Sequence, residues 1–316
     1  MKKRSILPKL LFVLSALFLN VMIVHNTFAT NAVMKISPVA TSVYIDAGKT
    51  QNYQFTIENT GKDDFKFKLY TGPYSVTNED YDADLASETS YNQIARWITF
   101  QDDSGSFVKN PVFELKAGEK RTIVYRVAVP EDIPEGGQYC VIHAESLSDA
   151  ESGKKDTTVG LDSLSRVSLI ILGHGNGNTK DIAEITDFYL TGFFSTKDIE
   201  GSTKVKNTGN TDFLAVYSFS VDSIFGTNLY NATDNFVILP ETERKYTVSW
   251  AETPLFGIFK VNFKVEALEA TESRSRVILI MPAFMIVILL LLLTSIIFWT
   301  IMLLRKRKER SSRLVV

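Results

Sequence analysis

The stretch from Tyr53 to Gly61, YQFTIENTG, predicts the fold of this 316-residue chain. Its first six residues alternate between apolar and polar side chains, which is typical of a β-strand with one buried face. The pattern ends at Asn59-Thr60-Gly61, a turn sequence. Residues 202–209, STKVKNTG, lead into the same turn. The chain therefore contains a strand-and-turn unit that occurs twice.

Two further blocks recur in the same order and extend this repeat. Residues 238–248 resemble residues 115–124, and residues 254–261 resemble residues 134–141. A repeat of this length indicates two copies of one domain type rather than a solenoid. Short strands separated by turn signals every 8–12 residues or so are typical of immunoglobulin-like sandwiches. We therefore expect an all-β ectodomain of two tandem Ig-like antiparallel β-sandwiches.

Both ends of the chain carry targeting signals. The run from Val277 to Leu304 is apolar and uncharged, and roughly 20 such residues suffice for a transmembrane helix. Basic residues follow it from Arg305, which predicts a cytoplasmic C-terminus and an ectodomain outside the membrane. At the N-terminus, basic residues precede an apolar stretch at 10–24, and the pattern Thr27-Phe28-Ala29 follows. These features predict a signal peptide cleaved after Ala29, with an uncleaved anchor as the alternative.

The formal net charge of −2 understates the negative charge of the predicted ectodomain, because both ends of the chain are basic. The predicted organisation comprises a signal peptide (1–29), domain 1 (30–173), a linker (174–180), domain 2 (181–272), a transmembrane helix (277–304) and a tail (305–316). Four basic residues fall in the signal peptide, whereas six basic residues and Glu309 fall in the tail. Of the 34 basic and 36 acidic residues, the ectodomain keeps a balance of about −11. Such a surface argues against nucleic acid as a partner.

The residues that support redox, metal or nucleophilic chemistry are scarce. Cys140 is the sole cysteine, so no intrachain disulfide forms, and its apolar surroundings predict a buried thiol. Beyond the signal peptide the histidines are His143 and His174, with no recognisable catalytic or metal-ligating partners. We therefore expect no cofactor, no metal and no catalytic residue.

An acidic loop between residues 78 and 92 is the best candidate for a ligand site. Its start, Asp80 to Asp84, has the D-x-D-x-D pattern of a calcium loop but lacks the glycine and the glutamate that an EF-hand needs. An irregular calcium site stays open. Aromatic side chains beside carboxylates suit saccharide or peptide ligands. The candidate ligand-binding residues are Tyr74, Tyr81, Asp82 and Tyr91.

The layout resembles the WxL-interacting surface proteins of Gram-positive bacteria. The matching stretches are Tyr53 to Gly61, Leu115 to Val127, Gly136 to Tyr139, and the run GLDSLSR at 160–166. The resemblance implies that domain 1 contacts peptidoglycan and that domain 2 contacts a surface protein or host ligand. The chain has no W-x-L motif, so it would be the membrane-held partner of a WxL protein.

These observations favour a non-catalytic, membrane-anchored cell-surface protein that binds peptidoglycan or a surface protein. Two alternatives stay open. One is an accessory subunit of an envelope transport or secretion complex, in which the transmembrane helix is the contact surface. The other is an envelope enzyme that uses carboxylates such as Asp80 and Asp82.

Overall fold

The computed structural model describes residues 34–147, 165–175, 178–195 and 198–313. These residues form β-strands and one short 3-10 helix (Gln93–Arg96), followed by one long helix, α1 (Ala283–Arg313), at the C-terminal end. The all-β class with a C-terminal helix is thereby confirmed. The predicted signal peptide (1–29) and most of the matching run at 160–166 lie outside the described residues.

The first sandwich, residues 34–174, is built from two facing sheets. One has the strand order β1-β3-β10-β7-β8 and the other β2-β12-β11-β4-β9. Pairing is antiparallel except between β2 and β12, which run parallel. The remaining strands, β5 and β6, form a separate hairpin. The strands are β1 (Met34–Ser37), β2 (Ala40–Tyr44), β3 (Thr50–Asn59), β4 (Phe65–Pro73), β5 (Ser75–Val76), β6 (Ala83–Asp84), β7 (Ile98–Gln101), β8 (Phe107–Val108), β9 (Val112–Leu115), β10 (Lys120–Ala128), β11 (Gln138–Ser146) and β12 (Arg166–His174).

The second sandwich, residues 183–280, repeats this arrangement with fewer strands. Its sheets have the orders β13-β15-β18 and β14-β20-β19-β16-β17, and β14 and β20 form its parallel pair. Each strand occupies the place of a strand in the first sandwich, so the sequence repeat corresponds to a repeated topology. The strands are β13 (Ala183–Leu190), β14 (Phe194–Ser195), β15 (Ile199–Asn207), β16 (Phe213–Ser223), β17 (Asn228–Ile238), β18 (Glu243–Trp250), β19 (Gly257–Ala267) and β20 (Ala270–Ile280).

Each sandwich encloses its own hydrophobic core, because alternate residues of the facing sheets point inward. Phe67 and Tyr125 are fully buried in the first core, and Phe219 and Phe263 in the second. Burying one such side chain contributes roughly 1.5–3 kcal/mol. Cys140 belongs to the first core and is fully buried, as predicted. With no disulfide available to its single cysteine, the chain relies on these two cores for its stability.

The repeated Asn-Thr-Gly turns are buried corners with matching hydrogen bonds. The Asn59 side chain donates to the carbonyl of Leu115 and accepts from the N–H of Gly61. Asn207 does the same with Ile238 and Gly209. Both asparagines have no exposed surface. The shared sequence thus reflects a polar side chain that closes the corner where a long strand ends.

The predicted transmembrane run, 277–304, does not form one element. Val277 to Ile280 belong to β20 and pair with β19, and Ile278 is fully buried in the second core. Helix α1 begins only after Met281 and Pro282. Its segment Ala283–Arg305 is long and apolar enough to cross a membrane. The structure therefore extends the second sandwich beyond the predicted boundary at 272 and shortens the membrane segment.

Candidate functional site

The junction of the two sandwiches is formed largely by the hairpin β5–β6 and the loop around it. Tyr81 reaches the second sandwich, where its hydroxyl lies 2.6 Å from the Thr242 hydroxyl and accepts the N–H of Leu239 at 2.7 Å. The Thr242 hydroxyl donates to the Leu239 carbonyl, so Tyr81 is the donor in its bond to Thr242. Burial raises the pKa of Tyr81. Tyr81 therefore acts as a neutral tether between the sandwiches.

Neighbouring contacts extend this tether. The Tyr91 hydroxyl donates to Oε1 of Glu241 at 3.0 Å. The Glu79 carbonyl accepts the backbone N–H of Lys245 at 2.7 Å, and the Glu79 carboxylate pairs with the ammonium of Lys204. Hydrogen bonding to Lys204 lowers the pKa of Glu79. The acidic loop thus contacts the edge strand β18 through the backbone, and β15 and the turn before β18 through side chains.

A second set of junction contacts centres on Asp212, whose side chain is almost fully buried. Its Oδ1 accepts the Tyr139 hydroxyl at 2.8 Å and lies 2.7 Å from Nε2 of His174. The Asp212 N–H also donates to the Tyr139 hydroxyl oxygen. The hydrogen bond to Asp212 raises the pKa of His174 above its ordinary value. This buried carboxylate links two strands of the first sandwich to the second.

The backbones of the two sandwiches also meet directly. Gly137 donates its N–H to the carbonyl of Asn210 at 2.8 Å. A Cβ atom at Gly136 would lie 2.1 Å from that same carbonyl oxygen, and Gly136 has a φ of +92°. Both the space and the backbone conformation at this position require glycine. Gly136 and Gly137, in the repeated block 134–141, therefore form an interdomain contact.

The structure places the four predicted ligand-binding residues in two different roles. Tyr81 and Tyr91 contact the second sandwich directly. Tyr74 is half-buried nearby, where burial raises its pKa and Arg244 opposes that change. Asp82 is exposed and accepts a hydrogen bond from Asn78 at 2.8 Å. Ligand binding by these four residues stays a prediction.

The irregular calcium site that the sequence left open would lie in the same loop. No group of three or more histidine, cysteine or acidic side chains comes together within the described ranges. Asp80, Asp82 and Asp84 thus do not form a cluster suited to calcium. The Asp84 carboxylate instead accepts the N–H groups of Ala86 and Ser87.

An open strand edge in the second sandwich was missed by the sequence reasoning. Strand β17 is 11 residues long and, among the described residues, pairs along one side only, with β16. Its register with β16 shifts once near its start, between Asn228 and Tyr230, and is regular from Tyr230 to Ile238. Arg244 donates to the Val237 carbonyl at 3.1 Å, and the Tyr81 hydroxyl accepts the Leu239 N–H, so these groups point away from β16. Because successive residues of a strand point their backbone groups to opposite sides, Asn231, Thr233 and Asn235 also present theirs outward.

The other edge strands are shorter than β17, irregular or contacted by another segment, and β2 has five residues (Ala40–Tyr44). Strands β1, β8, β9 and β14 have four residues or fewer, β13 has a register shift between Ile185 and Asp187, and β18 contacts the acidic loop through Lys245. Natural sheets use short strands, bulges, charges and prolines to block unwanted pairing. The sequence of β17, NLYNATDNFVI, has no lysine, arginine or proline. That absence was the available signal for an edge open to pairing.

Comparisons with known proteins find similar structures but no family. No family model matches the chain, and no curated protein matches it. Among solved structures, that of the class 5 fimbriae chaperone CfaA matches this chain at 13% identity. The match covers 79% of this chain and 99% of that chain, with a TM-score of 0.37. The structure of the CsuC–CsuE chaperone–tip adhesion subunit complex of Acinetobacter baumannii matches at 15% identity, with coverages of 77% and 97% and a TM-score of 0.36. The E. coli chaperone DraB matches at 11% identity, with coverages of 77% and 96% and a TM-score of 0.35.

These findings contradict the resemblance to WxL-interacting proteins. The three structures named here contain chaperones, and none of the three is a WxL-interacting protein. The predicted function in peptidoglycan or WxL-protein binding is therefore wrong, and so are those partners. The turn-and-strand patterns that suggested them are common to β-sandwiches. At these identities and TM-scores, the likeness to chaperones does not assign a partner to this chain.

Proposed function

We propose that this chain is a single-pass, non-catalytic membrane protein that binds an extended segment of another polypeptide along β17. In this proposal a signal peptide (1–29) directs export, and two tandem Ig-like domains lie outside the membrane. Helix α1 anchors them, with the basic C-terminus in the cytoplasm. The observation that carries the proposal is the unpaired edge of β17.

The geometry favours strand addition over binding to a sheet face. An added strand forms backbone hydrogen bonds to an edge and places alternate side chains against the neighbouring surface. The outward backbone groups at Asn231, Thr233 and Asn235 provide that edge. The side chains of Arg244 and Tyr81 bond to the next two outward backbone groups, at Val237 and Leu239, so the accessible edge ends before Val237. A partner segment of about five to eight residues would fit the length of β17.

Charge and aromatic contacts also support a polypeptide partner. The Arg244 guanidinium lies 4.2 Å from the ring centres of both Tyr81 and Phe236, so it is held in place beside the edge. The Tyr246 hydroxyl donates to the Asp234 carboxylate at 2.6 Å. These contacts attach β17 to the facing sheet, because Arg244 and Tyr246 both belong to β18. A pre-organised edge loses less entropy when a strand binds.

Site-specific crosslinking in producing cells tests the proposal. A photoreactive amino acid is placed at Asn231 in the full-length protein, with Lys264 as the matched control. Thr233, Ser218 and Lys264 lie in one cross-strand row, so Lys264 faces the same side but lies two strands inside the edge. Strand addition predicts a polypeptide adduct at Asn231 and none at Lys264. Equal crosslinking at both positions would instead indicate binding to the sheet face.

A proline substitution tests the backbone contact. Thr233→Pro removes an outward N–H, which an edge strand tolerates, so the fold should persist. The loss of one hydrogen bond, worth about 0.5–1.5 kcal/mol, should weaken the adduct at Asn231 by roughly two- to tenfold. Ala232→Pro removes an N–H that bonds to β16 and should unfold the strand. If Thr233→Pro leaves the adduct unchanged while folding normally, β17 does not bind by strand addition.

A further inference from the structure

Three loops at the membrane-proximal end of the second sandwich expose pairs of large apolar side chains. The pairs are Phe193-Phe194 at the start of β14, Ile224-Phe225 between β16 and β17, and Leu255-Phe256 between β18 and β19. All six side chains are exposed, and Phe225 is 90% exposed. We call these segments the apolar loops. Single exposed apolar residues are ordinary, whereas a group of them marks an interaction surface.

Strand register places the apolar loops at one level. Phe194 pairs with Leu279, and Gly257 pairs with Ile280. Ser223, which precedes Ile224, pairs with Phe259, and Phe259 pairs with Ile278. All three loops therefore lie beside the last residues of β20. They surround the point at which the chain leaves the sandwich.

The path from β20 into helix α1 leaves almost no spacer. Only Met281 and Pro282 separate Ile280 from Ala283, and two extended residues span at most about 7 Å. The segment Ala283–Arg305 has 23 residues, or about 34 Å of helix. That length matches the hydrocarbon core, which is about 30 Å thick. The end of β20 therefore lies within or next to the headgroup region, which is some 5–8 Å deep on each side.

We propose that the apolar loops insert into the outer interface of the bilayer that α1 crosses, and so hold the second sandwich against the membrane. Phenylalanine and leucine side chains suit the boundary between headgroups and acyl chains, where interfacial segments bury their apolar face. The helix keeps the loops beside the bilayer, so a small gain per side chain is sufficient for stable contact. The occupant of this surface is the lipid of that same leaflet.

Fluorescence quenching by lipid-bound nitroxide tests the insertion. The full-length protein carries a single added cysteine, Phe225→Cys or Phe256→Cys, and an environment-sensitive fluorophore on that residue. Cys140 is fully buried, and the protein without an added cysteine measures its background labelling. The labelled protein is reconstituted in phosphatidylcholine nanodiscs with a nitroxide near the headgroup end of the acyl chain. Leu214→Cys is the control, since Leu214 is 51% exposed at the opposite end of β16, about 30 Å away.

The proposal predicts a blue-shifted emission and quenching several-fold stronger at Phe225 and Phe256 than at Leu214. Quenching at the loops no stronger than at Leu214 would overturn it. A blue shift without lipid quenching would also overturn it, because the loops would then be covered by a second copy or another protein. The side chains at Phe225 and Phe256 point into solvent, so their replacement should leave the fold intact. Unchanged Trp250 fluorescence would confirm this.

Discussion

Replacing Asn207 by alanine should strongly destabilise the second sandwich. The side chain has no exposed surface. It donates to the carbonyls of Thr211 at 2.8 Å and Ile238 at 3.0 Å, and it accepts the N–H of Gly209 at 2.8 Å. Alanine leaves all three groups without this partner in a site closed to water.

The expected magnitude follows from the number of bonds. At about 1 kcal/mol net for each hydrogen bond, the loss is about 3 kcal/mol, and desolvated partners left unpaired would increase it. A change of 3 kcal/mol lowers the folding equilibrium constant about 150-fold. With urea slopes of about 1–3 kcal/mol/M, the unfolding midpoint should fall by about 1–3 M.

Urea unfolding of the detergent-solubilised full-length protein measures this change. Trp250 lies in the second core and Trp97 in the first, and Trp299→Phe removes the signal from the helix. Asn207→Ala should move the transition reported by Trp250. Asn235→Ala, on an exposed face of β17, should shift it by less than about 0.5 kcal/mol. Equal shifts for the two variants would refute the structural role of the buried corner.

Three further predictions concern the junction and the core. The pKa of His174 is raised by Asp212, so NMR should find it above the ordinary 6.5, and Asp212→Asn should lower it. This contribution to stability is fully present below pH 6.5 and is lost as pH rises through the folded pKa. The unfolding free energy should therefore fall across that window in the wild-type protein but not in the variant. Gly136→Ala should separate the sandwiches, because its Cβ overlaps the Asn210 carbonyl, and X-ray scattering should show a larger radius of gyration. Phe263→Ala should destabilise the second sandwich by about 3–5 kcal/mol in the urea assay.

Local signals in the sequence predicted much of the strand structure. Alternating residues before Asn59 and Asn207 identified β3 and β15, since side chains alternate between the two faces of a strand. The repeated turns were recognised without the knowledge that both asparagines are buried. One carbonyl partner of each asparagine, that of Leu115 or Ile238, lies more than 30 residues away in sequence, and no local pattern reports such a contact.

The predicted start of the membrane segment, Val277, was placed too early because a sandwich core and a lipid bilayer both favour apolar residues. A strand in a sandwich core and a helix in lipid are both apolar, so Val277 to Ile280 looked like part of the membrane segment. Pro282 was the available signal, since proline is common at the start of a helix and cannot pair within a sheet.

The acidic loop was interpreted as a ligand site on composition alone. Aromatic side chains beside carboxylates suit a ligand, but they suit a second domain equally well. Tyr81 and Thr242 are 161 residues apart, so their contact depends on how the sandwiches meet. The family resemblance failed for a related reason. Strand and turn patterns describe the architecture and carry little information about a partner.

The direct passage from β20 into helix α1 has a mechanical consequence. β20 is paired with β19 along its full length, and the chain enters this sandwich from the first one at the opposite end. A force that pulls the first sandwich away from the bilayer would act along the strands. It would load the β19–β20 hydrogen bonds in shear, so that many must break together instead of one after another. With α1 anchored in a membrane as proposed, the second sandwich would thus transmit tension to the bilayer without unravelling.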